Sequence, residues 1–358
     1  MSKKTLVIIP TYNERENIEK IIQAVLRQGD DLNILVVDDN SPDGTGKFVE
    51  TEAKGNHKVF LLNREKKEGL GKAYGAGFEW ALKRGYDFVI SMDADFSHNP
   101  ADILRLLNVD SKIDLVIGSR YIKGGRVEGW DFKRLINSRG ANFVTRFLLG
   151  LKPKDATAGF KRYSKRFLEH LALQKLESSG YAFQVETVYQ AQNNGFLVQE
   201  IPIIFTDRHL GESKIAGELW RSAKIVLKLA ARRKGIRQFI KFGLVGAFNA
   251  ILDFGALNIL VLVFHLNVYL AGALSLTLAL TSSFYWNRRF TFRSNSPKVA
   301  KEYVKFTIIN GLGAFFNFLI YSAFIRYLGF WYNLAKALAV LITMFWNFLG
   351  SKYWVFRK

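Results

Sequence analysis

The distribution of hydrophobic residues divides this chain of 358 residues into two parts. In the first part, short apolar runs alternate with longer segments of helical periodicity. Five runs are predicted to be strands: 6–10, 33–39, 57–62, 88–90 and 114–119. Helices are predicted over 17–26, 70–84, 131–149 and 217–234. Strands that alternate with helices predict an α/β domain with a mostly parallel, doubly wound sheet.

In the second part the hydrophobic segments are much longer. Four of them are long enough to cross a bilayer core of ~30 Å: 239–264, 269–286, 303–328 and 332–350. The sequence also repeats itself at an offset of 64 residues: Q-F-I-K-F at 238–242 recurs as E-Y-V-K-F at 302–306, and R-R-F-T-F-R at 288–293 recurs as K-Y-W-V-F-R at 352–357. The second part is therefore predicted to be a membrane domain of two repeated helical hairpins.

The basic composition fits such a membrane protein. A formal net charge of +20 is typical of proteins that bind nucleic acid or an anionic membrane surface. Here the lysines and arginines cluster before the first and third spans and after the second and fourth, which is one side of the membrane. The positive-inside rule then predicts that the first part and both termini of this multi-pass protein are cytoplasmic. Nucleic acid is not expected as a partner, and no signal peptide precedes the first strand.

The helix predicted at 217–234 has a basic stripe and an apolar side. The stripe is formed by Arg221, Lys224, Lys228 and Arg232. This pattern favours a helix in the membrane interface, with an ordinary surface helix as the alternative. We therefore divide the chain into a cytoplasmic domain (1–212), an amphipathic interface helix with a linker (213–236) and a four-helix transmembrane domain (237–358).

Acidic side chains follow several predicted strands, at the sheet edge where ligands bind in open α/β folds. Asp93 and Asp95 follow the fourth strand, and Glu14, Asp38 and Asp39 follow or end the first two. Carboxylate oxygens are the ligands that Mg²⁺ and Mn²⁺ prefer, and a diphosphate could complete the coordination shell. An isolated D-x-D is also compatible with a solvated acidic turn.

Two glycine-rich stretches do not match the usual phosphate-binding loops. G-L-G-K at 69–72 lacks the earlier glycine and the Ser or Thr of such a loop, and G-A-G at 75–77 lacks the third glycine of a dinucleotide fingerprint. We interpret both as glycines that allow a helix to pack closely. The chain has no cysteine, which excludes disulfides, thiolate metal sites and a cysteine nucleophile.

Several short motifs resemble those of family-2 inverting glycosyltransferases with the GT-A nucleotide-diphosphosugar fold. They are P-T-Y-N-E at 10–14, V-D-D-N-S-P-D-G-T at 37–45 and M-D-A-D at 92–95. Further motifs resemble the dolichol-phosphate mannose synthases: G-S-R-Y at 118–121, G-W-D-F-K-R at 129–134, S-R-G-A-N at 138–142 and D-R-H-L-G-E-S-K at 207–214. The second part resembles the four-helix membrane module that accompanies several polyprenyl-phosphate sugar enzymes.

The resemblance implies a GT-A-type α/β domain that transfers mannose from GDP-mannose to dolichyl or another polyprenyl phosphate at the lipid bilayer. The implied cofactor is Mg²⁺ or Mn²⁺, with Asp93, Asp95 and Ser97 at the metal, although some relatives carry glutamine where this chain has Ser97. The residues implied to bind the donor are Pro10, Tyr12, Glu14, Val37, Asp39, Asp93, Ala94, Asp95, Arg208 and Lys214. The residues implied to hold the acceptor phosphate are Arg120, Arg134 and Ser138, which with Asp95 form the implied catalytic set.

Two other functions stay open at this point. The strand-end acids fit transfer of glucose from UDP-glucose equally well. The chain could also be the nucleotide-sugar-binding component of a translocase for lipid-linked sugars. Product formation by the purified protein distinguishes an enzyme from such a component.

Overall fold

The computed structural model describes residues 3–171, 181–207 and 215–357. The chain forms two compact units, Met1–Ala230 and Ala231–Lys358. Strands and helices alternate through the first unit in the order β1 (Thr5–Thr11), α1 (Arg15–Leu26), β2 (Leu32–Asp38), α2 (Thr45–Gly55), β3 (Val59–Asn63), α3 (Leu70–Lys83), β4 (Phe88–Ser91), α4 (Asp102–Leu107), β5 (Leu115–Ser119), β6 (Arg126–Glu128), α5 (Phe132–Leu149), β7 (Lys161–Ser164), α6 (Lys165–His170), α7 (Tyr181–Asn193), β8 (Val198–Pro202), β9 (Ile204–Thr206) and α8 (Ile215–Arg232).

Seven of the strands form one sheet, in the order β3-β2-β1-β4-β7-β5-β8. Strand β7 runs antiparallel to both of its neighbours, and the other neighbouring pairs are parallel. Strands β6 and β9 form a separate two-stranded sheet. The five predicted strands are all present, and the prediction of a mostly parallel sheet in an α/β domain is confirmed.

Strand β7 was not predicted because its sequence, K-R-Y-S, begins with two charged residues. Both side chains are nevertheless fully buried. Lys161 Nζ donates to the carbonyl oxygen of Gln184 at 2.8 Å. Arg162 Nη1 donates to the carbonyl oxygens of Leu106 and Val109, at 3.1 and 2.8 Å, where α4 ends. Burial lowers the pKa of Arg162 to about 10, and these acceptors offset the cost of removing the cation from water.

The core follows the alternation of the central strands. Val7 and Ile9 belong to the cluster that α1 covers with Ile18, while Ile8, between them in sequence, lies against Gly77 of α3. Successive side chains of a strand point to opposite faces of a sheet, so helices cover β1 on both faces. This arrangement leaves the carboxyl ends of the parallel strands as the open edge of the domain.

The second unit contains four helices that are long and apolar enough to cross a membrane, as predicted. They are α9 (Lys234–Leu262), α10 (Val268–Trp286), α11 (Val299–Arg326) and α12 (Tyr332–Gly350). A π-helical turn follows the second helix of each hairpin: π1 (Asn287–Phe292) follows α10, and π2 (Ser351–Val355) follows α12. The two π-helical turns fall at equivalent places in the predicted repeat.

Aromatic contacts between the hairpins repeat with the same offset. The ring centroids of Phe242 and Phe348 are 5.8 Å apart, and those of Phe306 and Phe284, their equivalents, are 5.7 Å apart. The equivalent residues Phe292 and Phe356 contact each other directly, at 4.9 Å. The duplication is therefore visible in the structure as well as in the sequence. Each hairpin makes the same aromatic contact with the other.

The interpretation of the α3 glycines gives a first prediction. A Cβ on Gly77 would lie 2.9 Å from two side-chain atoms of Ile8, whereas a Cβ on Gly75 would have no such atom within 4 Å. Gly77→Ala should therefore destabilise the first unit by about 1–3 kcal/mol through overpacking. Gly75→Ala, in the same helix, should stabilise it by about 0.5–1 kcal/mol by restricting the unfolded chain. Urea unfolding in detergent measures both, and equal effects would contradict the packing role.

Candidate active site

The two carboxylates of the D-x-D motif lie in the turn that follows β4. Ser97 N donates to Asp95 Oδ1 at 3.0 Å, which fixes one oxygen of that carboxylate. Phe96 has a φ of +58°, a left-handed conformation that costs a residue with a side chain about 1–2 kcal/mol. The surrounding contacts therefore hold this turn in an unfavourable conformation, as is common at functional sites.

The turns after β1 and β2 contain the same left-handed feature. Asn13 has a φ of +62° and Asn40 a φ of +57°, and asparagine adopts this conformation more readily than most residues. Strands β1, β2 and β4 are parallel neighbours in the sheet. Their three turns therefore lie side by side at one edge, which brings together the predicted donor-binding and metal-binding segments.

His98, which follows the D-x-D turn, has a structural environment. Its ring stacks on Phe160 at a centroid distance of 5.2 Å and meets the edge of Phe205 at 5.4 Å. Asp93 N donates to His98 Nδ1 at 3.4 Å. Burial lowers the pKa of His98 to about 4, so the ring is neutral at pH 7. His98 thus stabilises the D-x-D turn by packing against its buried side.

Four of the predicted donor-binding residues lie near the carboxyl ends of β1 and β2 or in the turn after β1. Pro10 and Val37 are partners in the register of these two strands. Lys67 Nζ lies 3.7 Å from the centroid of the Tyr12 ring. Glu14 directly precedes α1. Strand pairing and one helix start therefore place these four predicted residues around the same edge.

The two neighbouring aspartates after β2 have different surroundings. The Asp38 carboxylate connects β1 with the turn after β2, because Oδ1 accepts from Thr11 Oγ1 at 2.8 Å and from Ser41 Oγ at 2.6 Å. Asp39 forms an ion pair with Arg64. Burial raises the pKa of Asp39, and the Arg64 charge opposes only part of this shift. Arg64, which the sequence analysis did not include, therefore positions the predicted donor-binding carboxylate.

The donor set of the D-x-D turn fits a hard divalent cation. Asp93 and Asp95 offer carboxylate oxygens, and among the described residues no group of three or more His, Cys, Asp and Glu side chains is placed to hold a metal ion. Two protein carboxylates leave most coordination positions to phosphate oxygens and water, which is the usual arrangement for Mg²⁺ with a nucleotide. Ser97 is buried in the same turn. Arg208 and Lys214, predicted for the donor diphosphate, lie outside the described residues.

Arg120, predicted to contact the acceptor phosphate, is held in a buried ion pair. Its Nε donates to Asp155 Oδ2 at 2.7 Å and its Nη2 to Asp155 Oδ1 at 2.8 Å. Its Nη2 also donates to Thr157 Oγ1 at 2.9 Å. Asp155 is fully buried and Arg120 is 7% exposed. The guanidinium and these hydrogen bonds lower the pKa of Asp155 against the effect of burial.

Two aromatic rings connect Arg120 with the other predicted acceptor residues. The Trp130 ring lies 4.4 Å from the Arg134 guanidinium carbon and 5.9 Å from that of Arg120. The Tyr121 ring lies 5.1 Å from the Arg120 guanidinium, and its hydroxyl is 2.7 Å from Ser138 Oγ. The structure therefore brings Arg120, Arg134 and Ser138 into one cluster, as the resemblance implies.

Strand β9 connects this cluster with the D-x-D turn. Thr206 N donates to the carbonyl oxygen of Ser97 at 3.2 Å. The next residue, Asp207, accepts from Arg134 Nη1 at 2.8 Å. The predicted metal site and the predicted acceptor site are thus neighbours, connected by these two hydrogen bonds through adjacent residues of the chain.

Helix α5, which carries Arg134 and Ser138, has large apolar side chains exposed on its surface. Phe132 is 78% exposed, Phe143 is 65% exposed and Ile136 is 51% exposed. Large apolar side chains on one helix of a soluble domain are typical of a surface that contacts protein or membrane.

Comparison with known proteins agrees with these features. The family described as Glycosyl transferase family 2 matches residues 6–172, and the family described as GtrA/DPMS, transmembrane domain, matches residues 241–356. The chain is 49% identical over 224 residues to the polyprenol monophosphomannose synthase of Mycolicibacterium smegmatis, covering 62% of this chain and 84% of that protein. It is 42% identical over 237 residues to the undecaprenyl-phosphate mannosyltransferase of Micrococcus luteus, covering 65% of this chain and 98% of that protein.

The chain belongs to glycosyl transferase family 2. Its family 2 unit carries the strand-end acids and the cationic cluster described above, and its second unit carries the four membrane-crossing helices. A solved structure of glucosyl-3-phosphoglycerate synthase from Mycobacterium tuberculosis overlaps the chain with a TM-score of 0.47 at 18% identity, over 64% of this chain and 79% of that one.

Sequence reasoning missed the residues that position the site of this family 2 glycosyltransferase. Asp155, Trp130 and Arg64 each hold a predicted residue in place. The spacing of residues in the sequence does not indicate this role for any of them. A sequence signal exists only for Trp130, which lies in the G-W-D-F-K-R segment. The partners of Arg120 and Asp39 come from distant parts of the chain, so only the fold brings them together.

The buried pair of Arg120 and Asp155 yields a stability prediction. Asp155→Ala leaves a buried guanidinium without its counter-charge and should lower the free energy of unfolding by about 3–5 kcal/mol. Asp207→Ala removes the partner of Arg134, a pair whose two side chains are each 29% exposed, and should cost about 1 kcal/mol or less. Urea unfolding in detergent, followed by tryptophan fluorescence, measures both variants. Equal losses would contradict the difference in burial.

The same pair has a defined pH dependence. Folding lowers the Asp155 pKa. The contribution of this carboxylate to stability is therefore complete above its ordinary pKa and is lost as the pH falls through the lowered value. The Asp155→Ala variant should accordingly lose less of its remaining stability on acidification below about pH 4 than the unmodified chain.

Proposed function

We propose that this chain transfers mannose from GDP-mannose to a polyprenyl phosphate such as dolichyl phosphate, giving polyprenyl phosphate mannose and GDP. The observation that carries the proposal is the cluster of Arg120, Arg134 and Ser138 beside the D-x-D turn, in a chain with four membrane-crossing helices. A lipid phosphate is an acceptor that needs both features. The names of the two mannosyltransferase relatives support the sugar and the class of acceptor.

The acceptor phosphate serves as its own nucleophile. A phosphate monoester has a second pKa near ~6, so most of it is dianionic at pH 7. One of its oxygens attacks C1 of mannose from the side opposite the diphosphate. The bond from C1 to the diphosphate oxygen breaks, GDP leaves, and the anomeric configuration is inverted. Because no proton must be removed from the acceptor, the neutral and buried His98 is not required as a base.

Arg120 and Arg134 hold the acceptor dianion against repulsion from the donor diphosphate. A guanidinium is a planar cation with several donors, and Asp155 uses Nε and Nη2 of Arg120 to fix the orientation of this plane. Asp93 and Asp95, with Ser97 nearby, would hold Mg²⁺ or Mn²⁺, which when bound offsets the charge that develops on the leaving diphosphate. Arg208 and Lys214 would act on the same diphosphate. Trp130 positions both guanidinium groups through its ring.

The donor nucleoside would bind at the turns after β1 and β2. The half-buried Pro10 and Tyr12 provide apolar and aromatic surface for the base, whereas the fully buried Val37 would contact the donor only through its backbone. The carboxylates of Glu14 and Asp39 accept hydrogen bonds from base or ribose. Ala94, between the two aspartates of the D-x-D turn, packs its side chain into the core, so it would contact the donor through its backbone.

The chain would be a multi-pass membrane protein with its catalytic domain and both termini in the cytoplasm. The clustering of basic residues at one end of the spans supports this orientation. In α8, Lys224, Lys228 and Arg232 are exposed while Val226 and Ala230 are buried, which supports an interface helix. We keep the boundaries 1–212, 213–236 and 237–358 as the proposed division of roles.

A donor panel tests the proposal. The purified chain in detergent is given Mg²⁺ or Mn²⁺, a short polyprenyl phosphate and, in turn, GDP-mannose, UDP-glucose and GDP-glucose, and the lipid product is identified by mass spectrometry. We expect a polyprenyl phosphate hexose from GDP-mannose only. Preferential use of UDP-glucose would show that the donor is UDP-glucose and not GDP-mannose. Donor binding without any product would indicate the nucleotide-sugar-binding component of a translocase instead.

The first prediction for this reaction concerns the D-x-D turn. Asp95→Asn removes the negative charge but retains an oxygen that can accept from Ser97 N. Turnover should fall by roughly 1,000-fold or more at every Mg²⁺ or Mn²⁺ concentration. The loss of one ligand charge weakens metal binding and, with it, the stabilisation of the leaving diphosphate. Unfolding by urea should be unchanged. Near-normal turnover in this variant would contradict the assignment of Asp95 as a metal ligand.

The second concerns the acceptor site. Arg134→Ala should cost about 2–4 kcal/mol in transition-state stabilisation, roughly 30- to 1,000-fold in rate, and Arg134→Lys should recover only part of it. Lys133→Ala removes an exposed charge next to it and is the matched control. Initial rates against acceptor are measured beside calorimetric titration of GDP-mannose with metal. If Arg134→Ala weakens donor binding as much as it slows transfer, Arg134 belongs to the donor pocket.

A further inference from the structure

A pocket of about 730 Å³ opens in the second unit, between the start of α9 and the ends of π1 and π2. Six cationic residues line it: Lys234, Arg237, Lys241, Arg293, Lys352 and Arg357. No Asp or Glu belongs to its lining as far as the described chain extends. Like charges around a common space repel each other, and a partly enclosed site screens them less than open solvent does. The pocket therefore favours an anion.

The duplication provides an internal comparison for this pocket. Every lining position has an equivalent 64 residues away in the other hairpin, and the equivalent of Gln238 is Glu302. Glu302 is buried, and its Oε2 accepts from Arg288 Nε at 2.8 Å. Its Oε1 accepts from Ser294 Oγ at 2.6 Å. In that half of the unit, a carboxylate of the protein itself neutralises the cation.

The pocket lacks this internal anion. The equivalent of Arg288 is Lys352, which lines the pocket together with the neutral Gln238. Lys352 Nζ lies over aromatic rings, 5.0 Å from the centroid of Tyr353 and 5.7 Å from that of Phe348. The cation is thus present in both halves, but only one half supplies the carboxylate.

A second departure from the repeat occurs in the same pocket. Thr291 is 3% exposed, it lines the pocket, and its Oγ1 has no hydrogen-bond partner among the described residues. Its equivalent in the other half is Val355, which has no hydroxyl group. Buried hydroxyl groups are normally hydrogen-bonded, so this one is a donor that the described residues leave unused. Compared with the other half, the pocket lacks the carboxylate of Glu302 and has the additional hydroxyl donor of Thr291. Both differences favour a bound anion.

We propose that this pocket binds the phosphate headgroup of a membrane lipid. The pocket lies at the ends of three of the four spans, the first, second and fourth, where lipid headgroups are found, and the aromatic residues Phe292 and Phe356 also line it. Basic pockets between membrane helices at a headgroup layer are known to favour anionic lipids. The phosphate occupies the place that the Glu302 carboxylate has in the other half. This inference does not depend on the sugar donor or on transfer.

Native mass spectrometry of the full chain in detergent tests this assignment in the absence of sugar nucleotide. The chain is titrated with a short polyprenyl phosphate, with phosphatidylglycerol, with phosphatidylcholine and with inorganic phosphate. Gln238→Glu should weaken binding of the phosphate lipid by about tenfold or more, because the new carboxylate can pair with Lys352. Asn295→Asp adds the same charge in the exposed connection between π1 and α11, and it should leave the affinity unchanged. Thr291→Val should weaken binding by a smaller factor.

The lipids distinguish the source of the phosphate. Tight retention of polyprenyl phosphate would identify a second site for the acceptor, and tight retention of phosphatidylglycerol a structural lipid, and either supports the assignment. Binding only of inorganic phosphate, no preference over phosphatidylcholine, or equal losses in Gln238→Glu and Asn295→Asp would overturn it. Arg134→Ala should retain the lipid. If that variant loses it, the lipid was bound at the family 2 unit and this pocket is not its site.

Discussion

The constraint behind the active site is that carboxylates and guanidinium groups must stand close together without neutralising one another. In the proposed reaction Asp93 and Asp95 would hold a cation, while Arg120 and Arg134 would hold an anion. The protein keeps them apart by giving each arginine another partner, Asp155 for Arg120 and Asp207 for Arg134. The left-handed turn at Phe96 fixes the carboxylates independently.

This separation also explains why a buried ion pair suits the proposed phosphate site. Arg120 and Asp155 together carry no net charge, so the pair can be removed from water at a lower cost than a lone guanidinium. The carboxylate sets the plane of the guanidinium before the ligand arrives, and less conformational freedom is lost on binding. The aromatic rings of Trp130 and Tyr121 restrict the remaining freedom of the cluster.

Much of the fold could be predicted from the sequence, because hydrophobic periodicity is a local property. The five apolar strands and the four membrane spans are examples, and so is the repeat of 64 residues. Strand β7 could not be predicted, because its charged residues are buried against carbonyl groups of α4 and α7 that are distant in sequence. The site divides in the same way. Motif residues such as Asp95 and Arg134 were predictable from their segments, whereas Asp155 and Arg64 act through contacts that only the fold creates.

The reciprocal aromatic contacts of the second unit have a consequence for how it folds. Phe284 of the first hairpin contacts Phe306 of the second, while Phe348 of the second contacts Phe242 of the first. With Phe292 against Phe356 between them, most of this aromatic cluster consists of contacts across the two hairpins. Neither hairpin therefore has a complete core of its own. Duplication here produced one cooperative folding unit of four spans, in which each copy completes the interior of the other.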